Sequence, residues 1–150
     1  MWKNDSAAIV QRAVEMYGGD EKKLAAELKR LVKEGRRDGD LVRVGAAYCN
    51  LAELCHAAAD EQGAFSNALR AVACLKDTDA HELLARAYVS LGLVYTNEDN
   101  PQMAMEMDET AYQLVRKHRI RGRTRINVLN SLSANYNMLG DVPKGIRLLT

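Results

Sequence analysis

The sequence predicts an all-α protein, about seven to eight helices arranged as antiparallel pairs in one repeat array, on three observations. The first is internal repetition. Leu51-Ala52, Leu91-Gly92 and Leu132-Ser133 each join a leucine to a small residue, 40 and 41 residues apart. Four residues after each leucine stands Cys55, Tyr95 or Tyr136, and three before it Tyr48, Tyr88 or Leu129. One 3.6-residue helical stripe collects all of these positions. The second is that each stripe runs into turn chemistry, at Gln62-Gly63, Asn97 to Pro101 and Gly140-Asp141, before another stripe begins. Those second stripes hold Ala68, Leu69, Val72 and Leu75, then Met103, Ala104, Met107, Ala111 and Leu114, then Ile146 and Leu149. The third is that no segment sustains the period-2 alternation of a strand.

The small residues have a packing role. Ala52, Gly92 and Ser133 are expected to face a partner helix, answered there by Ala68, Ala104 and Gly145, so that two backbones approach and the flanking Leu and Tyr side chains interlock. Each large side chain buried this way stabilises by roughly 1.5–3 kcal/mol. Ahead of residue 38, Ile9, Val10, Ala13, Val14 and Tyr17 form one apolar face, and Leu24, Leu28, Leu31 and Val32 form the next, with Asp20 as N-cap. Helices are therefore expected near 5–17, 21–35, 38–60, 64–76, 79–97, 101–118, 121–139 and 142–150. The domain reading is a single helical repeat domain over 1–150. Residues 1–37 form a degenerate repeat, 38–78, 79–119 and 120–150 form three more, and the last is truncated. Ending on Leu148-Leu149-Thr150 without a polar capping helix, the chain reads as the N-terminal part of a longer protein.

Composition narrows the function classes. With 47% hydrophobic residues and two prolines the chain can bury a core. A net charge of +1 argues against a nucleic-acid binder driven by bulk charge. Cys49, Cys55 and Cys74 make an odd count without paired spacing, read as reduced core thiols of a cytoplasmic protein. No apolar run approaches the ~20 residues of a membrane helix, and Met1-Trp2-Lys3-Asn4-Asp5 opens no signal peptide.

Tyr88-Leu91-Gly92-Tyr95, followed by Ala104 and Ala111, resembles one full copy of the tetratricopeptide repeat. Leu129-Leu132-Ser133-Tyr136 with Gly140-Asp141 and Gly145 resembles most of a second. Tyr48-Leu51-Ala52-Cys55 with Gly63, Phe65 and Ala68 is a looser third. The resemblance covers residues 38–150, and it is closest to the long-repeat modules of bacterial signalling proteins, such as peptide-pheromone receptors and the sensory halves of cyclases and transcription activators. It implies a right-handed superhelical solenoid whose concave groove binds a protein or peptide. No cofactor is implied.

In that family the groove is lined by the first helix of each pair, and the resemblance places Asn50, Glu53, Arg86, Val89, Leu93, Asn97, Asn127, Asn130 and Asn137 there. Asn127, Asn130 and Asn137 form one stripe off the Leu129-Leu132-Tyr136 packing face. Asn is disfavoured in a helix by up to ~0.7 kcal/mol against Ala, and its carboxamide can both donate to and accept from a peptide backbone. Val89 and Leu93 would make an apolar floor. The Lys/Arg clamp that some members use for a terminal carboxylate has no counterpart, because its positions hold Cys49, Glu53, Ser90, Asn127 and Ser131.

Other candidates are weaker. Gly18-Gly19-Asp20-Glu21 spells a diguanylate cyclase signature, but between two helical stripes it reads as a helix end and a cap. Cys49, Glu53 and His56 share a helix face that could ligate a metal, although groove surface is the better reading. His81-Glu82 has no second histidine one turn on. His118 sits at a basic helix end, where a cation suits the dipole. With no catalytic constellation or phosphate-cradling glycine loop, this segment is not expected to be an enzyme.

One charge cluster stands out. Arg116, Lys117, Arg119, Arg121, Arg123 and Arg125 form a basic patch, with no acidic residue between Glu109 and Asp141. It reads as a solvated turn balanced by Glu98, Asp99, Glu106, Asp108 and Glu109, or as a contact for an acidic partner or nucleic acid. A third role for the whole chain is self-association, as a dimerisation module of a signalling protein such as a diguanylate cyclase or transcription activator.

Overall fold

The computed structural model describes residues 2–149. The side chains of residues 2–5, 146 and 149 lie outside it, so the expected roles of Ile146 and Leu149 fall outside the described residues. Eight helices make up the fold: α1 (Trp2–Tyr17), α2 (Glu21–Asp38), α3 (Leu41–Ala57), α4 (Glu61–Leu75), α5 (His81–Asn97), α6 (Pro101–Lys117), α7 (Arg123–Met138) and α8 (Val142–Leu149). No strand occurs among the described residues.

Short polar side chains start most of these helices. Asp20, Asp40, Asp60 and Asn100 each accept from the backbone N–H three residues on, at 3.1, 3.1, 3.0 and 3.3 Å. Asp141 does the same for Lys144 at 3.2 Å. Each such cap satisfies one of the orphan N–H groups at a helix start and is worth ~1 kcal/mol. Pro101, with no N–H to lose, opens α6.

The ends of α3, α5 and α7 share one turn. Ala59, Asp99 and Gly140 take left-handed φ values of 57°, 60° and 89°. The following N–H groups, of Asp60, Asn100 and Asp141, then donate to the carbonyls of Cys55, Tyr95 and Tyr136 at 2.8 Å each. The sequence repeat is thus a repeated turn as well as a repeated stripe.

This turn corrects two expected boundaries. The first stripe ends at Ala57, and the break falls at Ala58 to Asp60 rather than at Gln62-Gly63. A capping aspartate decides the start of α4, and Gly63 lies inside that helix, where an added Cβ would meet Cys55 Sγ at 2.8 Å. Helix α2 likewise runs through Gly35 to Asp38. Gly35 is there because Val44 crosses it, with Val44 Cγ2 at 2.7 Å from any added Cβ.

Each helix packs on the next in sequence. In addition α1 touches α3, α3 touches α5 and α5 touches α7, while among the described residues the backbones of the even-numbered helices stay apart. Among the described residues no contact joins helices more than two apart. The odd helices form the tighter layer and the even helices are splayed across its back.

Two of the three expected small-residue crossings are present. Ala52 and Ala68 are fully buried in one cluster with Leu91. Ser133 Oγ donates to the Gly145 carbonyl at 2.6 Å, and an added Cβ on Gly145 would meet Ser133 O at 2.8 Å. At the middle crossing Gly92 receives not Ala104 but the carboxyl of Asp108, whose Oδ1 would lie 2.5 Å from an added Cβ. The main core runs between α1 and α5 around Leu28, Leu31, Val44 and Leu75, each at most 2% exposed.

Candidate functional site

The odd layer carries a cleft of about 770 Å³, lined by α1, α3, α5 and the start of α7. Helical spacing explains who faces it. Ala46, Asn50, Glu53 and His56 follow one stripe of α3, and Arg86, Val89, Ser90 and Leu93 the equivalent stripe of α5. Helix α1 closes one side with Val10, Gln11 and Val14, a wall that the apolar face read for 5–17 did not assign to a site.

Six of the nine expected groove residues line this cleft: Asn50, Glu53, Arg86, Val89, Leu93 and Asn127. Asn97, Asn130 and Asn137 do not. Asn97 donates to Glu61 Oε1 at 3.1 Å, tying α5 to the start of α4. Asn130 is exposed. Asn137 lies over α8, its carboxamide oxygen against Gly145. At 100° per residue Asn130 and Asn137 stand roughly 60° and 80° round the helix from Asn127, on the side of Ile126 and away from α5. A stripe read as one face therefore straddles two.

Several polar side chains of the cleft are already engaged with one another. Arg86 donates from Nη2 to both Glu53 oxygens, at 2.8 and 2.9 Å, and from Nε to Oε1 at 3.0 Å. Nη2 also reaches Asn50 Oδ1 at 3.4 Å. Burial works against the Arg86 charge, but the Glu53 carboxylate more than offsets it and raises the guanidinium pKa. Thr124 donates to Glu82 Oε1 at 3.0 Å, joining α7 to α5. Arg86 thus links α3 to α5 through a paired charge rather than standing free for a ligand. Leu93, 42% exposed, is the open apolar surface of the cleft.

The metal-ligand reading of Cys49, Glu53 and His56 finds no support. Among the described residues no cluster of three metal-ligating side chains occurs. Cys49 is buried, its thiol donates to the Leu83 carbonyl at 3.3 Å, and burial pushes its pKa up to about 12. His56 Nε2 lies 3.2 Å from the Ser90 carbonyl. Gly18-Gly19-Asp20 is a turn and cap, as its position between helices suggests. His118 differs from its reading as a helix-end cation. Its ring stacks on His81 with centroids 3.4 Å apart, and desolvation, then His81 and Lys117, lower its pKa.

The basic patch divides. Arg123 lines the cleft and Lys117 lines neither hollow. Arg116, Arg119, Arg121 and Arg125 surround a second concavity of about 390 Å³, joined by Arg147 from α8. Arg123 and Arg125 part because two residues turn a helix by about 200°. None of the carboxylates expected to balance the patch lines this concavity. Glu98 and Asp99 sit at the other end of α6, roughly 25 Å away. Asp108 is buried, taking a hydrogen bond from Asn135, and Glu109 accepts from the Tyr136 hydroxyl at 2.9 Å. Asn135 and Asp108, only 2% and 1% exposed, form a buried polar pair that no periodicity singled out.

No family model matches the chain, and no curated protein is found similar to it.

Proposed function

We propose that the chain is a tetratricopeptide-type, right-handed superhelical module that binds an extended protein or peptide segment in the cleft of its odd layer. The observation that carries this reading is the cleft itself. It holds an open apolar strip at Val89 and Leu93 between amide side chains, Gln11 on one flank and Asn127 on the other. Packed helices stand 8–10 Å apart, so the span from α1 to α7 is roughly 27 Å, about eight residues of extended chain at 3.3 Å each. Apolar side chains of the ligand would seat on Leu93, and the amides would meet its backbone groups. As a sensory or scaffolding part of a larger bacterial regulatory protein in the cytoplasm, such a module needs no catalytic residue of its own.

Calorimetric screening against a library of eight-residue peptides tests the assignment. Leu93→Asp is expected to weaken binding about tenfold or more, because it puts a charge where apolar area is buried. Asn127→Ala should weaken it less, and Asn130→Ala, outside the cleft, should leave it unchanged. Undiminished binding by Leu93→Asp rejects the cleft as the site.

One observation favours a second reading, self-association. Ile126 and Met138 on α7, Leu139 at its C-cap and Val142 at the start of α8 are 43–57% exposed. A second copy seated there would cover them. Sedimentation equilibrium should then show a dimer that Ile126→Glu dissolves, and a strict monomer at high concentration excludes it.

A further inference from the structure

We infer that the concavity between α6, α7 and α8 is a binding site for a small organic phosphate of nucleotide size, separate from the peptide cleft. Guanidinium groups converge on it from three helices and a turn: Arg116 on α6, Arg119 and Arg121 in the turn that follows, Arg125 on α7 and Arg147 on α8. Among the described residues no carboxylate lines it. Among the described residues Arg116, Arg119, Arg121 and Arg125 have no ion-pair partner, so their charges are not already spent on a carboxylate. Exposed like charges repel only weakly in water, whereas an anion seated in the hollow would gain from Arg116, Arg119, Arg121 and Arg125 together.

The local backbone sharpens the point. Basic side chains suit a helix C-terminus, which accounts for Arg116 at the end of α6. Arg121 and Arg125 instead flank the N-terminus of α7, the positive end of its dipole, where a cation is disfavoured and an anion is favoured. That end has no side-chain cap, since its N-cap is Gly122.

The hollow also has an apolar floor, and this decides the class of ligand. Ile120 and Leu129 line it, and so does the ring of Tyr112, with the Arg116 guanidinium 5.7 Å from its centroid. Guanidinium forks match phosphate oxygens in pairs, and an aromatic group stacks on Tyr and Arg planes. A volume of about 390 Å³ suits one small ligand and not a polymer, which would need an extended basic stripe.

Titration calorimetry of the chain with AMP, GMP, their diphosphates and inorganic phosphate tests this. At least one nucleotide should bind about tenfold tighter than inorganic phosphate, which cannot use the floor, and its affinity should fall with salt. The exposed double variant Arg119→Ala/Arg125→Ala, shown folded by circular dichroism, should lose at least about tenfold. Arg12→Ala, on α1 and remote from the hollow, should lose nothing. Absence of nucleotide binding at millimolar concentration overturns the inference, and so does equal binding by the double variant. Binding of a single-stranded oligonucleotide that tightens steadily with its length, far beyond any mononucleotide, overturns it in favour of an extended nucleic-acid surface.

Discussion

Asp108→Asn should raise the melting temperature at pH 8 by roughly 5–10 °C and flatten its dependence on pH. The Asp108 carboxyl is buried at the junction of α5, α6 and α7, with Oδ1 against Gly92 and lacking any hydrogen-bond partner. Burial pushes its pKa from 3.8 to about 7, against the opposing hydrogen bond from Asn135. Between those values the native state holds a proton that the unfolded chain has released. The stability this proton contributes is therefore complete below about pH 4 and is lost as pH rises through about 7. The loss by pH 8 is on the order of 4 kcal/mol, at about 1.36 kcal/mol for each pH unit that separates the native from the unfolded pKa. Asparagine cannot ionise, and its carbonyl oxygen can still accept from Asn135. Urea or thermal melts of both proteins from pH 5 to pH 8 check this. A wild-type chain that gains stability over that range, with the variant following it, would show that the carboxyl is ionised and satisfied in the native state.

This junction marks where the sequence stops being legible. The apolar stripes betrayed the helices, because burial of one face imposes a 3.6-residue period that survives in the residue types. Asp108 and Asn135 carry no such mark. Asp108 reads as one of the solvated carboxylates balancing the basic patch, Asn135 falls on no stripe, and only the meeting of α6 with α7 buries the two. The cleft shows the same division. Asn50, Glu53, Arg86, Val89 and Leu93 were readable because α3 and α5 lie in the middle of the layer, where the groove-facing angle is fixed by helices on both sides. Asn130 and Asn137 were misplaced because α7 has a neighbour in the layer only at α5, and Asn97 because it is the last residue of α5 and turns to Glu61 at the start of α4. The contribution of α1 was hidden too, since Val10 and Val14 serve core and cleft together.

Gly92→Trp is expected to destabilise by about 3 kcal/mol or more, the upper range of overpacking, and to stop α5 and α6 from closing. The smaller change Gly92→Ala is more diagnostic. In an ordinary helix interior alanine is preferred over glycine by about 1 kcal/mol. Here an added Cβ would meet Asp108 Oδ1 at 2.5 Å and Cγ at 3.1 Å, and α5–α6 packing leaves the carboxyl little room to retreat. Gly92→Ala should therefore destabilise the wild-type chain and stabilise the Asp108→Ala background. A double-mutant cycle by chemical denaturation measures that reversal as a coupling free energy. Equal effects in both backgrounds would mean that the carboxyl does not occupy the space glycine leaves.

The reach of the helix contacts, never beyond the next-but-one neighbour, bears on how the chain folds. Loops to be closed are short, so little entropy is lost before native contacts form, and a low contact order of this kind goes with folding in microseconds to milliseconds. Any adjacent helix pair can nucleate and recruit its neighbours in either direction. The same linearity leaves the chain vulnerable under load. Contacts within the odd layer bridge over α2, α4 and α6, but none bridges over α3 or α5, so melting either of those two helices parts the ends of the chain.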